Sequence, residues 1–222
     1  MSDKVKSAYR QSKNIYDDVL TQRKWWSRLY IRLFWGVDDR QIADKLFAMI
    51  PDEFAGELLD VPCGTLNLTA GKYARMQDAA ITCRDYSEDM LAGAKVRIEQ
   101  QGLSHVTAMQ GDVGNLPFVN DTFDIVLSMN GFHAFPRKDR AYAEIARVLK
   151  PGGQCIGCFY LKGEHKPSDF VVNTVLAKKG MVYPAVSNQG RRLSIFEKIL
   201  FVCGVMQRKS NGMVLLREVA HL

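Results

Sequence analysis

The chain has 222 residues, 47% of them hydrophobic, as expected of a globular protein with a sizeable core. Its formal charge is +6, and no recognition motif accompanies that modest excess, which argues against nucleic acid as a partner. No run of about eighteen apolar residues is present, so no membrane-spanning helix is expected. Five cysteines without a repeated pair fit a reduced, cytoplasmic setting better than a disulfide framework or a metal site.

The N-terminus lacks the apolar core of a secretory signal. Residues 1–22 read as a polar helix with Tyr9 and Tyr16 on its inner side. The next stretch, Arg23 to Gly36, holds all three tryptophans. Trp25, Leu29 and Leu33 form one stripe and Trp26, Tyr30 and Phe34 another, with Arg28 and Arg32 to the side. Such a segment suits three roles: a helix packed on the domain, a lid over an apolar substrate, or a helix lying on a membrane surface. Residues 1–50 are read together as an N-terminal helical cap or lid, and 51–222 as the body of a single domain.

Asp38 and Asp39 can cap a helix that Pro51 stops. A strand is expected at about 57–61, a second at 79–84, a third at 105–110, a fourth at 123–129 and a fifth at 154–160. Helices are expected from Leu66 to Met76, from a Ser87 cap to about Gln100, and from Arg137 to Leu149. The alternation implies a parallel sheet with right-handed crossovers and helices on both faces. Further helices are expected near 168–179 and 191–203. After them, Val205–Lys209 and Met213–Val219 flank Ser210-Asn211-Gly212, a strong hairpin signal.

The chain is organised around Glu57 to Leu68. An apolar strand there breaks at Pro62-Cys63-Gly64 and leads into a helical stretch, the place where open α/β sheets bind ligands. Asp60, Asp85 and Asp112 each end one of three successive strands, 25 and 27 residues apart, so they should line one edge of the sheet.

These residues resemble class I S-adenosylmethionine (SAM)-dependent methyltransferases. Asp60-Val-Pro62-Cys63-Gly64-Thr65 is similar to the family's first motif, although Pro62 and Leu66 stand where two of its three glycines would be. Asp85-Tyr86-Ser-Glu-Asp-Met90-Leu91 is similar to the ribose-binding stretch, and Gly111-Asp112-Val113 to the adenine-binding one. The segments at Phe123-Asp124 and Leu149–Gly153 keep the same register. The resemblance implies SAM as cofactor, S-adenosylhomocysteine as product, and a sheet of order 3-2-1-4-5-7-6 with strand 7 antiparallel. It implies Asp60 at the methionine amino group, Asn67 at its carboxylate, Asp85 on the ribose, and Tyr86 and Met90 against the ribose and adenine. Asp112 and Val113 would hold the base. Asn130 would contact the cofactor, while Phe132 and His133 would meet a small-molecule acceptor, with His133 the candidate general base. Tyr16, Trp25 and Trp26 are candidates to cover that acceptor, or to touch a membrane surface, in a monomer or homodimer. Among this family, ubiquinone/menaquinone-biosynthesis-like enzymes are similar in Asn130-Gly-Phe-His-Ala-Phe135.

Two other readings are open: a nicotinamide-dependent oxidoreductase using Asp85, and a non-catalytic binding protein on the same fold. The incomplete glycine pattern and the terminal hairpin weigh against the oxidoreductase. Cys155-Ile-Gly-Cys158 lies within a strand, where residues three apart point to opposite faces, so it is read as structural.

Overall fold

The computed structural model describes residues 39–132, 134–160, 201–209 and 212–220. Helix α1 (Asp39–Phe47) leads into β1 (Glu57–Asp60), the short α2 (Ala70–Tyr73), β2 (Ala80–Asp85), α3 (Glu88–Gln100) and β3 (Val106–Gln110). Then follow β4 (Phe123–Met129), α4 (Lys138–Val148), β5 (Leu149–Tyr160), β6 (Phe201–Lys209) and β7 (Gly212–Ala220).

Strands β1 to β5 pair in parallel in the order 3-2-1-4-5. The two directions of winding meet between β1 and β4, which opens a crevice at the carboxyl ends of those strands. The near-continuous apolar character of β1 and β4 follows from burial on both faces. One face carries Leu58, Ile81, Ile125, Leu127 and Ile156 beneath α1 and α3. The other carries Leu59, Val126 and Cys155 beneath Ala141, Ile145 and Val148 of α4. Cys158 lies in the first cluster and Cys155 in the second, so the two thiols do point to opposite faces.

Helix α1 is integral to the core. Ile42 and Leu46 of the helix are 0% exposed and Ile50, just after it, 1%, and burying each contributes roughly 1.5–3 kcal/mol. Ser87 caps α3, its Oγ accepting from Met90 N at 3.4 Å, as the sequence suggests. Asp124 joins three elements at the amino end of the sheet. Its Oδ2 accepts from Glu57 N at 2.9 Å and from Lys150 Nζ at 2.8 Å.

The end of the sheet departs from expectation. The order is 5-6-7, not 5-7-6, and it is β6 that runs antiparallel to the body. Tyr160 pairs with Phe201, so the chain re-enters the sheet at the edge where it left. A strand that starts from that edge must run antiparallel to β5, because a parallel neighbour needs a crossover to the opposite edge. Strands β6 and β7 pair antiparallel, with Lys209 opposite Gly212, as the hairpin signal leads one to expect, but residues 201–203 are strand, not the end of a helix. The segment 1–38, with Tyr16, Trp25 and Trp26, and the expected helices within 161–200 lie outside the described residues, as does His133.

Candidate active site

Strand β1 delivers Asp60 to the crevice almost wholly buried, at 1% exposure. Its Oδ2 accepts from Tyr73 Oη at 2.7 Å. Burial raises its pKa to about 7; the nearby Asp85 carboxylate adds to the rise and the tyrosine bond opposes it. Strand β2 delivers Asp85, which organises the turn around itself. Oδ2 accepts from Gly64 N at 2.8 Å and Oδ1 from Ser87 N at 2.8 Å. Burial raises Asp85 to about 6, the larger effect, while the backbone bonds from Ser87, Gly64 and Tyr86 pull it down. An ionised carboxylate has about four lone-pair sites, so both oxygens retain capacity for ligand hydroxyls. Asp112 follows β3 and is half-buried. Its Oδ1 accepts from Gly114 N at 2.9 Å.

All three carboxylates line one cleft. Pro62, Cys63, Gly64 and Asn67 line it on the β1 side. Tyr86, Met90, Gly111 and Val113 line it towards β2 and β3, and Asn130 towards β4. Thus twelve of the residues singled out in the sequence come together, as the register of the strands requires. Phe132 does not join them. It is 2% exposed, stacked on Tyr142 at 5.0 Å and set edge-on to Phe135 at 5.6 Å, so it belongs to the core under α4. Among the described residues Ala134 and Phe135, and not Phe132, line the cleft. The cause is the turn at Asn130, whose φ of 54° reverses the chain, together with Gly131, where a side chain would collide with Pro62 and Ser128.

Leu66, in the third glycine position of the first motif, keeps the left-handed backbone that a glycine would adopt, with φ 57°. Its side chain is 1% exposed, packed in the core beneath α1 and α3 and not in the cleft. The expected helix from Leu66 to Met76 shrinks to Ala70–Tyr73, with turns on either side. That late start leaves Thr65, Leu68 and Thr69 lining the cleft beside Asn67, residues the sequence reading missed along with Ser87 and Met129. Asn67 Nδ2 and Thr69 Oγ1 are buried without a hydrogen-bond partner among the described residues. Buried polar atoms of that kind call for a ligand or ordered water.

Cys63 Sγ donates to Gly64 O at 3.6 Å, and both Cys63 and Cys83 are buried. The contact with Cys83, then burial, raises Cys63; burial raises Cys83. Both are protonated thiols and poor nucleophiles. Among the described residues no group of three His, Cys, Asp or Glu side chains could hold a metal ion.

The sheet is Rossmann-like, and acidic residues at the ends of β1 and β2 and after β3 face one cleft. Residues 58–153 match the family model described as a methyltransferase domain. Among its relatives, the demethylmenaquinone methyltransferase of Bacillus subtilis (strain 168) is 33% identical over 114 residues, 51% of this chain and 49% of that protein. The ubiquinone/menaquinone biosynthesis C-methyltransferase of Desulfotalea psychrophila is 30% identical over 135 residues, 61% of this chain and 48% of that one. The chain thus spans about half the length of the curated relatives it matches. Among solved structures, the [4+2]-cyclase SpnF superposes with a TM-score of 0.59 at 26% identity, over 72% of this chain and 61% of that one.

Proposed function

We propose that the protein transfers a methyl group from SAM to a small-molecule acceptor. The observation that carries this reading is the convergence of Asp60, Asp85 and Asp112 on one cleft closed by the Pro62–Thr69 turn. The donor set suits the cofactor. Asp60 takes the α-ammonium, which ionises it. The unpartnered Asn67 Nδ2 and Thr69 Oγ1 supply donors for the α-carboxylate. Asp85 takes the two ribose hydroxyls, with Tyr86 and Met90 alongside, and Asp112 accepts from the adenine amino group while Val113 packs on the ring.

When bound, SAM supplies a methyl group already activated on a sulfonium. The residues of this chain hold and shield the reacting groups. Orientation of this kind is worth about 7–11 kcal/mol in favourable cases. Leu68, Met129, Ala134 and Phe135 give the cleft an apolar side, which supports an acceptor with apolar character. The names of the two quinone-methyltransferase relatives agree with that class. His133 is proposed as the base where the acceptor must lose a proton, with Trp25 and Trp26 as a cover.

The test is formation of methylated product from SAM carrying a labelled methyl, with demethylated quinones and hydroxylated aromatics as acceptors. Label transfer to one of them, abolished in Asp85→Ala, is the expected result. Retention of SAM by the wild type without transfer to any carbon, oxygen, nitrogen or sulfur acceptor would favour the binding-protein reading. The likeness to a cyclase is a reminder that this fold does not fix one reaction, so the labelled-methyl assay and not the fold decides the chemistry.

A further inference from the structure

The connection from β3 to β4, residues 111–122, crosses from one side of the sheet to the other without a helix or strand of its own. Its backbone polar groups therefore need partners from elsewhere. Arg147 of α4 supplies them. Nη1 donates to Phe118 O at 2.7 Å and to Asn120 Oδ1 at 3.1 Å. Nη2 donates to Leu116 O at 3.0 Å and to Glu144 Oε2 at 2.8 Å, and Nε donates to Glu144 Oε1 at 2.7 Å. These five bonds use all five donors of a guanidinium fork. Glu144 Oε2 also accepts from Leu116 N at 2.8 Å, so the Leu116 backbone is held at both N and O.

The strap fixed in this way carries Phe118, whose ring lies against the Arg84 guanidinium at 5.5 Å and edge-on to Phe123 at 4.9 Å. Arg84 is 7% exposed, its Nε buried without a hydrogen-bond partner among the described residues. It occupies the space where a side chain at Gly111 would stand. Gly111 immediately precedes Asp112 and Val113, which line the cleft. Arg84 O also accepts from Cys63 N at 2.9 Å, tying the same residue to the turn after β1.

We propose that Arg147, with Glu144, is a positioning residue for the adenine end of the cleft. Its grip on residues 116–120 seats Phe118 on Arg84, and Arg84 in turn sets Gly111-Asp112-Val113 against the base. The effect passes through the back of the sheet, and no atom of Arg147 lines the cleft. The inference rests on the reading that Asp112 accepts from the adenine amino group.

The experiment compares S-adenosylhomocysteine with S-inosylhomocysteine, in which a carbonyl replaces that amino group. Titration calorimetry and thermal melts are run on the wild type, Arg147→Met, Arg147→Lys and the remote surface control Arg75→Met. The wild type should prefer the adenine ligand by roughly tenfold or more, the scale of one buried hydrogen bond left unmade. In Arg147→Met the preference should fall towards one, and affinity for S-adenosylhomocysteine should weaken about tenfold. Arg147→Lys should not restore it, because a point ammonium cannot span Leu116 O, Phe118 O and Asn120 together. Arg75→Met should match the wild type. A purely structural role would lower the melting temperature and leave the preference intact, which would overturn the proposal while sparing the assignment of Asp112. A wild type without preference would overturn that assignment and the positioning role with it.

Discussion

Replacing Leu66 by glycine sets two energies of opposite sign against each other at one residue. The side chain is 1% exposed in the core under α1 and α3, and removing a buried leucine costs about 2–5 kcal/mol. The backbone at φ 57° is strained for a leucine, and glycine relieves about 1–2 kcal/mol of that. The midpoints leave a net loss of about 2 kcal/mol, or roughly 4–8 °C in melting temperature for a chain of this size. Leu66→Ala loses nearly the same packing and keeps the strain, so it should be no more stable than Leu66→Gly. At an ordinary helical position glycine is the worse of the two by about 1 kcal/mol, so the order of the two variants reports the backbone state directly. Thermal and urea melts give the order, and calorimetry with S-adenosylhomocysteine gives the effect on the cleft. Affinity should change by less than about threefold, since Leu66 faces away from the ligand. A glycine variant as stable as the wild type would refute the packing argument, and a tenfold gain in affinity would mean that the leucine obstructs the cleft.

Asp85→Asn places an amide against the backbone N–H groups of Gly64 and Ser87 and removes the charge that both donors face; S-adenosylhomocysteine affinity should fall at least about tenfold by calorimetry, given about 1.5–3 kcal/mol per hydrogen bond to a charged group. Burial raises the Asp60 and Asp85 carboxyls to about 7 and about 6, well above the usual carboxylate range. Their contribution to folding stability is therefore fully present below about pH 4 and is lost as pH rises through 6 to 7. Urea midpoints corrected against Asp60→Asn should show that decline between pH 5 and 8, and a wild-type profile parallel to the variant's would contradict it. Gly131→Ala forces a methyl against Pro62 and Ser128; melts should show a loss of about 1–3 kcal/mol, the usual range for overpacking.

The first five strands were legible in the sequence because each carries an apolar run of strand length that ends at a turn signal. Burial on both faces of β1 and β4 writes that run directly into the residues. The three acidic positions were legible for a related reason: a parallel sheet places every strand's carboxyl end on one edge, so spacing alone brings Asp60, Asp85 and Asp112 together. What depends on the conformation of a single residue was not legible. Leucine is a poor left-handed residue, so nothing in its chemistry announces that Leu66 holds a glycine's backbone and delays α2 by four residues. The choice between Phe132 and Phe135 turns on the reversal at Asn130 and the tight contact at Gly131, neither of which periodicity detects. The order of β6 and β7 hangs on which edge the chain returns to after β5, and the hairpin signal specifies that the two strands pair without specifying which of them meets β5. The Glu144–Arg147 grip on the 116–120 strap was invisible because it joins side chains to backbone atoms of a segment that has no pattern of its own.

The central claim is tested most directly by a crystal structure of the full chain with S-adenosylhomocysteine. The account predicts the ribose hydroxyls on Asp85, the adenine between Asp112 and Val113, and the amino acid end at Asp60 with its carboxylate on Asn67 and Thr69. A nucleoside seated elsewhere, or these three carboxylates turned away from it, would contradict the account.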